Sequence, residues 1–123
     1  MELKGKKIGF AMCGSFCTFS DCFAAAEELI ALGCELLPIM SYNAYTIDTR
    51  FGKAEVHRKR LEEMCGHEII HTIDGAEPIG PKKMTDLMLV ANCTGNTLAK
   101  LAMSITDTAV IVKRKHVLYP NAA

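Results

Sequence analysis

Short, continuously apolar runs alternate along the chain with longer stretches whose apolar positions recur every three or four residues. Ile8 to Cys13 is the first run, with the length and character of a strand buried on both faces. It breaks at Gly14-Ser15. A helical period follows from about Asp21 to Leu32: Phe19, Phe23, Ala26 and Ile30 share one face, Glu27 and Glu28 another. Gly33 stands where a helix C-terminal glycine is expected. Cys34 to Met40 reads as a second strand, ending in the polar turn Ser41-Tyr-Asn-Ala44.

Tyr45 to Lys53 has no clear period. Ala54 to Met64 carries Glu55, His57, Arg58, Lys59, Arg60, Glu62 and Glu63, and the mixed signs predict a solvated helix rather than a binding patch. His67 to Ile73 is a predicted third strand. In Asp74 to Pro81 two prolines and two glycines forbid a long regular element. Met84 to Ala91 is again a buried-type strand, Asn92-Cys-Thr-Gly-Asn-Thr97 its polar exit loop, and Thr97 to Ile105 a helical stretch. His116 to Tyr119 is a predicted last strand. Alternating helices and buried-type strands define an α/β chain with a mainly parallel sheet. No internal repeat, low-complexity stretch or linker divides it, so residues 1–123 are expected to form one domain.

Composition narrows the class further. Half of the 123 residues are hydrophobic and the formal charge is zero, which gives no electrostatic case for nucleic acid or a membrane surface. No run approaches the roughly 18 apolar residues of a membrane span. The N-terminal Met-Glu-Leu-Lys-Gly-Lys-Lys leads straight into a strand without a signal-peptide pattern, so a cytoplasmic location is expected. Of six cysteines, Cys13, Cys17 and Cys22 are spaced C-x3-C-x4-C, which matches neither zinc nor common iron–sulfur spacings. No metal site is expected, and buried thiols are the expected state; Cys17, just after the first turn, is the one in a position to act.

Three strand-end turns carry the candidate chemistry: Gly14-Ser15, Ser41-x-Asn43 and Thr94-Gly-Asn-Thr97. Each is rich in small hydroxyl and amide residues and poor in formal charge, which suits a phosphate held by backbone N–H groups and hydroxyls. The first turn lacks both Gly-x-Gly-x-x-Gly and a P-loop lysine. In an open α/β sheet such turns share the carboxyl edge, where ligands bind. Ordinary loops use the same residues, so the joint placement is the signal.

Gly14-Ser15-Phe16 after one apolar strand, and Asn96-Thr97-Leu98-Ala99-Lys100 after another, resemble the flavoprotein family of the phosphopantothenoylcysteine and peptidyl-cysteine decarboxylases. The resemblance spans about residues 6–108 and implies a Rossmann-like, three-layer open parallel sheet. It also implies FMN bound between subunits of a homo-oligomer, a trimer or its multiples. The cofactor contacts it implies are Gly14, Ser15, Phe16, Ser41, Asn43, Thr94, Gly95, Asn96 and Thr97. The family's Pro-Ala-Ser-Ala-Asn-Thr loop is kept strictly only in Asn96-Thr97. Pro78 occupies the place of the decarboxylases' catalytic histidine and their methionine–tryptophan substrate segment is missing, so decarboxylation is disfavoured.

Within that superfamily, Gly-Ser-Phe-Cys-Thr-Phe, Glu-Pro-Ile-Gly-Pro and Cys-Thr-Gly-Asn-Thr-Leu-Ala-Lys-Leu-Ala look most similar to the family of dipicolinate synthase B subunits. That resemblance implies oxidation of a dihydrodipicolinate-type precursor to pyridine-2,6-dicarboxylate during sporulation, in the mother cell. The implied partner is the dipicolinate synthase A subunit, and NAD(P) held by that partner is the alternative hydride acceptor to FMN. Lys100 is either a neutraliser of the dicarboxylate or a solvated helical lysine. The likeness fades after Ala109, so a shortened C-terminal part is expected. A non-catalytic FMN-binding partner subunit and a ligand-free structural domain stay open on the residues alone; a flavin absorbance spectrum separates them.

Overall fold

The computed structural model describes residues 4–79, 82, 84–92 and 117–118. Among them, four parallel strands form one sheet in the order β2-β1-β3-β4, with β1 at Lys7–Met12, β2 at Glu35–Met40, β3 at Leu87–Asn92 and β4 at Val117–Leu118. The expected Rossmann-like open sheet is thus present. Four helices among the described residues accompany it: α1 (Phe19–Ala31), α2 (Tyr42–Thr46), α3 (Ala54–Cys65) and α4 (Ile73–Ala76).

Alternation within β1 builds the core on both sides. Ile8, Phe10 and Met12 join Phe19, Cys22, Phe23 and Ala26 of α1 and Leu61 of α3 in one cluster. Ala11 and Cys13 point the other way, into a cluster with Ile39, Met88, Val90, Ala76 and Ile79. The helices α1 and α3 therefore cover one face, and α4 with the following 3-10 turn Glu77–Ile79 helps cover the other. A strand apolar on both sides needs both covers. Gly9 is bare for a packing reason: a Cβ there would lie 2.2 Å from the Met88 sulfur on the neighbouring strand.

α1 begins two residues earlier than its period suggests, after a 3-10 turn at Phe16–Thr18. It ends where expected, with Gly33 at φ 91° and the Cys34 N–H returning to the Leu29 carbonyl at 3.1 Å. The Asp48 carboxylate accepts from the Ala54 N–H at 2.8 Å and so caps α3. The stretch expected to be irregular, residues 45–53, holds the end of α2 and a tight turn closed by Thr49 and Gly52.

The predicted third strand is the main departure. Residues 67–73 contribute a single bridge, Ile70 to Ile39, through Ile70 N–H to the Pro38 carbonyl (2.9 Å) and Met40 N–H to the Ile70 carbonyl (3.0 Å). Pro38 has no N–H to offer on that same outer side, so the ladder cannot extend toward His67. On the other side Thr72 turns the chain away by accepting the Gly75 N–H at 3.1 Å and starting α4. The last predicted strand survives as the two residues of β4, paired with Met88 and Leu89.

Candidate functional site

The strand order sets the site. β2 lies on one side of β1 and β3 on the other, so the chain reverses its direction of winding at β1, the point beyond whose carboxyl ends open α/β sheets bind their ligands. Gly14, Ser15 and Phe16 leave β1 there, and Ser41 and Asn43 leave β2. The two turns touch: a Cβ on Gly14 would lie 3.3 Å from the Asn43 Cβ and 3.7 Å from the Phe16 ring. Only a residue without a side chain leaves that approach open. Ser41 N–H bonds the Met12 carbonyl at 3.0 Å, tying the second turn to the end of β1. Thr94, Gly95, Asn96, Thr97 and Lys100, and the helical stretch beginning at Thr97, lie outside the described residues.

Two hydroxyls, those of Ser15 and Ser41, stand at these turns. Ser15 precedes the 3-10 turn, and its side chain makes no capping bond; its carbonyl accepts from the Thr18 N–H at 3.1 Å and the Thr18 hydroxyl at 2.8 Å. Ser41 is buried, and its oxygen accepts the Ala44 N–H at 3.3 Å, which leaves its own O–H to donate. Behind the first turn stands the N-terminal end of the 13-residue α1, whose dipole favours negative charge.

Asn92 is the residue that sequence reading undervalued as the mere start of a loop. It is fully buried at the end of β3. Its Oδ1 accepts the Cys13 N–H at 2.6 Å, and its Nδ2 faces the carbonyls of Cys13 (3.2 Å) and Ser15 (3.1 Å) and the Thr18 hydroxyl (3.2 Å). A bulge makes this reach possible: Ala11 pairs with Val90 but Met12 with Asn92, so Ala91 is the extra residue that re-aims the next side chain. A polar residue closing an apolar strand beside Gly-Ser was the available signal.

Histidines fall in unexpected places. His57, read as part of a solvated run, is buried against Phe19 (T-shaped, 4.9 Å) and Phe23 (stacked, 5.9 Å). Burial first, then the nearby Arg60 charge, lower its pKa, while a hydrogen bond to the Phe51 backbone pulls the other way. His71 follows the Ile70 bridge and so emerges at the carboxyl edge, where its ring stacks on Tyr45 at 3.7 Å with Arg58 over the same tyrosine. Pro78 sits in the 3-10 turn after α4, with no imidazole in its place.

The cysteines divide by exposure. Cys13, Cys22 and Cys34 are buried, Cys65 is half-buried and Cys17 is exposed. Burial raises the thiol pKa of both Cys22 and Cys65 to about 11. Among the described residues no group of His, Cys, Asp and Glu can hold a metal ion, and no helix is long and apolar enough to cross a membrane. A concavity of about 290 Å³ lies at the opposite, amino edge among Lys7, Glu35, His67 and Lys82. Its Glu35 and His67 already meet at 3.0 Å, and none of the described strands delivers its carboxyl end there.

Comparison with known proteins agrees with this fold. The family model described as Flavoprotein matches residues 1–114. The chain is 41% identical over 120 residues to the B subunit of dipicolinate synthase from Bacillus subtilis (strain 168), covering 98% of this chain and 60% of that protein. The solved B subunit of dipicolinate synthase from Bacillus halodurans superposes with a TM-score of 0.76 at 33% identity, over 90% of this chain and 57% of that one. The chain thus spans about three-fifths of the length of these relatives. An FMN-dependent cysteine decarboxylase, SpaF, shares the fold with a TM-score of 0.71 at 18% identity, over 97% of this chain and 67% of that one.

Proposed function

The chain belongs to the flavoprotein family, and on that premise we propose that it is an FMN-binding subunit of an oxidoreductase of the dipicolinate synthase type. The observation that carries this reading is the contact between the first two turns, where Gly14 and Asn43 close on one another over the carboxyl edge. In the proposed arrangement Gly14 and Ser15 hold the phosphate, Ser41 donates its O–H and Asn43 its amide. Phe16, Thr94, Gly95, Asn96 and Thr97 line the rest. A small pocket of hydroxyls and N–H groups fits a phosphate better than a buried lysine would, because the anion keeps its hydrogen bonds without a desolvated ion pair. FMN, when bound, supplies a hydride acceptor.

The substrate class is a dihydropyridine dicarboxylate, which becomes aromatic by losing one hydride and one proton. Lys100 neutralises one of its carboxylates. The partner is an A subunit resembling a nicotinamide-dependent dehydrogenase, and an NAD(P) held by that partner is the second hydride acceptor. We read residues 1–123 as one flavoprotein-like domain working in the cytoplasm of a spore-forming mother cell. Exposed Tyr42, Ile47, Phe51 and Val56 around α2 and α3 support assembly into a homo-oligomer; light scattering must then exceed the 13.5 kDa of a monomer.

The test is retention of FMN after reconstitution, read from the flavin absorbance pair and fluorescence quenching. Ser15→Asp sets a like charge against the phosphate and is expected to abolish retention; unchanged affinity in that variant overturns the assignment. Pro78, standing where the decarboxylases carry their histidine, speaks against decarboxylation; the alternative to the oxidoreductase reading is an FMN-binding subunit with no turnover of its own. Activity measured with and without the A subunit separates the two.

A further inference from the structure

The backbone at the end of β1 alternates between its two neighbouring strands. The Met12 carbonyl accepts the Ser41 N–H on the β2 side at 3.0 Å. Both backbone groups of Cys13 then face β3, where the fully buried Asn92 accepts the N–H at 2.6 Å and meets the carbonyl through Nδ2 at 3.2 Å. An N–H can only donate and a carbonyl can only accept, so these neighbours fix which way round the Asn92 amide stands. The described residues contain no cis peptide bond, and in a planar trans peptide the N–H points opposite to the carbonyl before it. A Cys13 carbonyl held toward Asn92 therefore turns the Gly14 N–H back to the β2 side, where Asn43 lies against Gly14.

Two residues further on, the same side chain acts again. The Ser15 carbonyl meets the Thr18 N–H at 3.1 Å, the Thr18 hydroxyl at 2.8 Å and Asn92 Nδ2 at 3.1 Å, and Nδ2 lies 3.2 Å from the Thr18 oxygen. The 3-10 turn at Phe16–Thr18 uses only the first of these contacts. The other two come from side chains and hold the Ser15 carbonyl inward, which directs the Phe16 N–H away from Asn92. Among the described residues neither the Gly14 N–H nor the Phe16 N–H has an acceptor. Backbone N–H groups left facing out of a turn in this way form a concavity suited to an anion.

We propose that Asn92, together with Thr18, is the positioning residue of the first turn: by holding the Cys13 and Ser15 carbonyls it aims the N–H groups of Gly14 and Phe16 at the ligand's phosphate, and so sets the preference of the site for a flavin that carries phosphate over one that does not. The inference rests on the flavin reading of the turns and adds to it a residue that acts through the backbone rather than by contact. Donors held in place before the ligand arrives bind more tightly, because little ordering is left to be done on binding. Asn92 also opens the stretch that leads to Thr94–Thr97, so one buried side chain ties the first turn to the start of the third.

The test compares FMN with riboflavin, the same ring and ribityl chain without the phosphate, by fluorescence quenching on the full chain and on variants shown to be folded by circular dichroism. The parent is expected to prefer FMN by about tenfold or more, since hydrogen bonds to a charged group are the strong ones. Asn92→Ala is expected to shrink that preference about tenfold, through weaker FMN binding with riboflavin affinity little changed. Thr18→Val removes the hydroxyl but keeps the shape and is expected to shrink it about threefold, with Thr18→Ser restoring it. Destabilisation alone lowers both affinities together and leaves their ratio unmoved, which separates positioning from folding. If Asn92→Ala does not fold, the Thr18 pair decides. An unchanged ratio in the folded variants, or a loss in Thr18→Ser equal to that in Thr18→Val, overturns the inference and leaves the flavin site standing. A parent that binds FMN no better than riboflavin overturns the phosphate role of the first turn, a parent that binds neither overturns the flavin reading, and the inference falls with each.

Discussion

The Asn92 side-chain amide grips both backbone groups of Cys13, accepting its N–H at 2.6 Å and facing its carbonyl at 3.2 Å, across 79 residues of chain. This contact fastens the end of β1 to the end of β3 at the point where the first turn begins. The Nδ2 has three oxygens within 3.2 Å and only two hydrogens to give them. Asn92→Ala removes the buried amide that accepts the Cys13 N–H and faces the Cys13 and Ser15 carbonyls and is expected to cost about 2–4 kcal/mol, since each buried hydrogen bond lost costs about 1–3. Asn92→Asp keeps the acceptor but aims a carboxylate at three oxygens, so it should be at least as damaging at neutral pH. Urea denaturation measures both; a loss under about 0.5 kcal/mol in the alanine variant would show that the clamp is dispensable.

Ser41 combines a cap with a proposed ligand contact, and the two roles can be separated. Ser41→Ala removes the acceptor for the Ala44 N–H and is expected to cost about 1 kcal/mol, whereas Ser41→Gly should cost only a few tenths. In the proposed site Ser41 contributes only its hydroxyl to FMN, so both variants are expected to weaken FMN retention to a similar degree. If affinity instead tracks stability across the pair, the hydroxyl serves only the helix.

Much of this architecture was legible because burial on both faces writes a continuous apolar run. Ile8–Cys13, Cys34–Met40 and Met84–Ala91 each became a strand within a residue or three of its predicted limits. Residues 67–73 have the same apolar content, yet whether they pair depends on Pro38, a residue of the neighbouring strand. No local pattern carries that information. The Gly14–Asn43 approach followed from strand polarity, since consecutive parallel strands deliver their ends to one edge. Asn92 and His57 were missed for a shared reason: each is a polar residue whose burial is decided by partners far away in sequence, Cys13 in one case and Phe19 and Phe23 in the other. Charge patterning placed His57 on the solvated face of α3, but the register of Ala54, His57 and Leu61 buries it.

Thiol chemistry offers an independent check on the packing around the first turn. Cys17 is exposed, while burial holds Cys22 and Cys65 at a pKa of about 11. At pH 8 a thiol with that pKa is only about 0.1% thiolate, and thiolate is the reacting form. Brief iodoacetamide treatment followed by peptide mass mapping should therefore find Cys17 modified well before Cys22 or Cys65. Early labelling of Cys22 would mean that α1 does not pack on β1 as described.

His57 should also leave a mark on the pH dependence of stability. Its folded pKa lies below the ordinary 6.5 because burial and then Arg60 disfavour the imidazolium. The unfolded chain thus binds a proton that the folded chain refuses. The stability that the neutral ring contributes is fully present above about pH 6.5 and is lost as pH falls from there toward the folded pKa. His57→Phe has no such proton to refuse, so its denaturation midpoint should fall less steeply than the parent's as pH drops below about 6.5, and at neutral pH it should be no lower. His67, His71 and His116 are common to both proteins, so the difference between the two curves belongs to His57 alone. Parallel curves would place a protonated His57 in the folded protein and contradict its burial against Phe19 and Phe23.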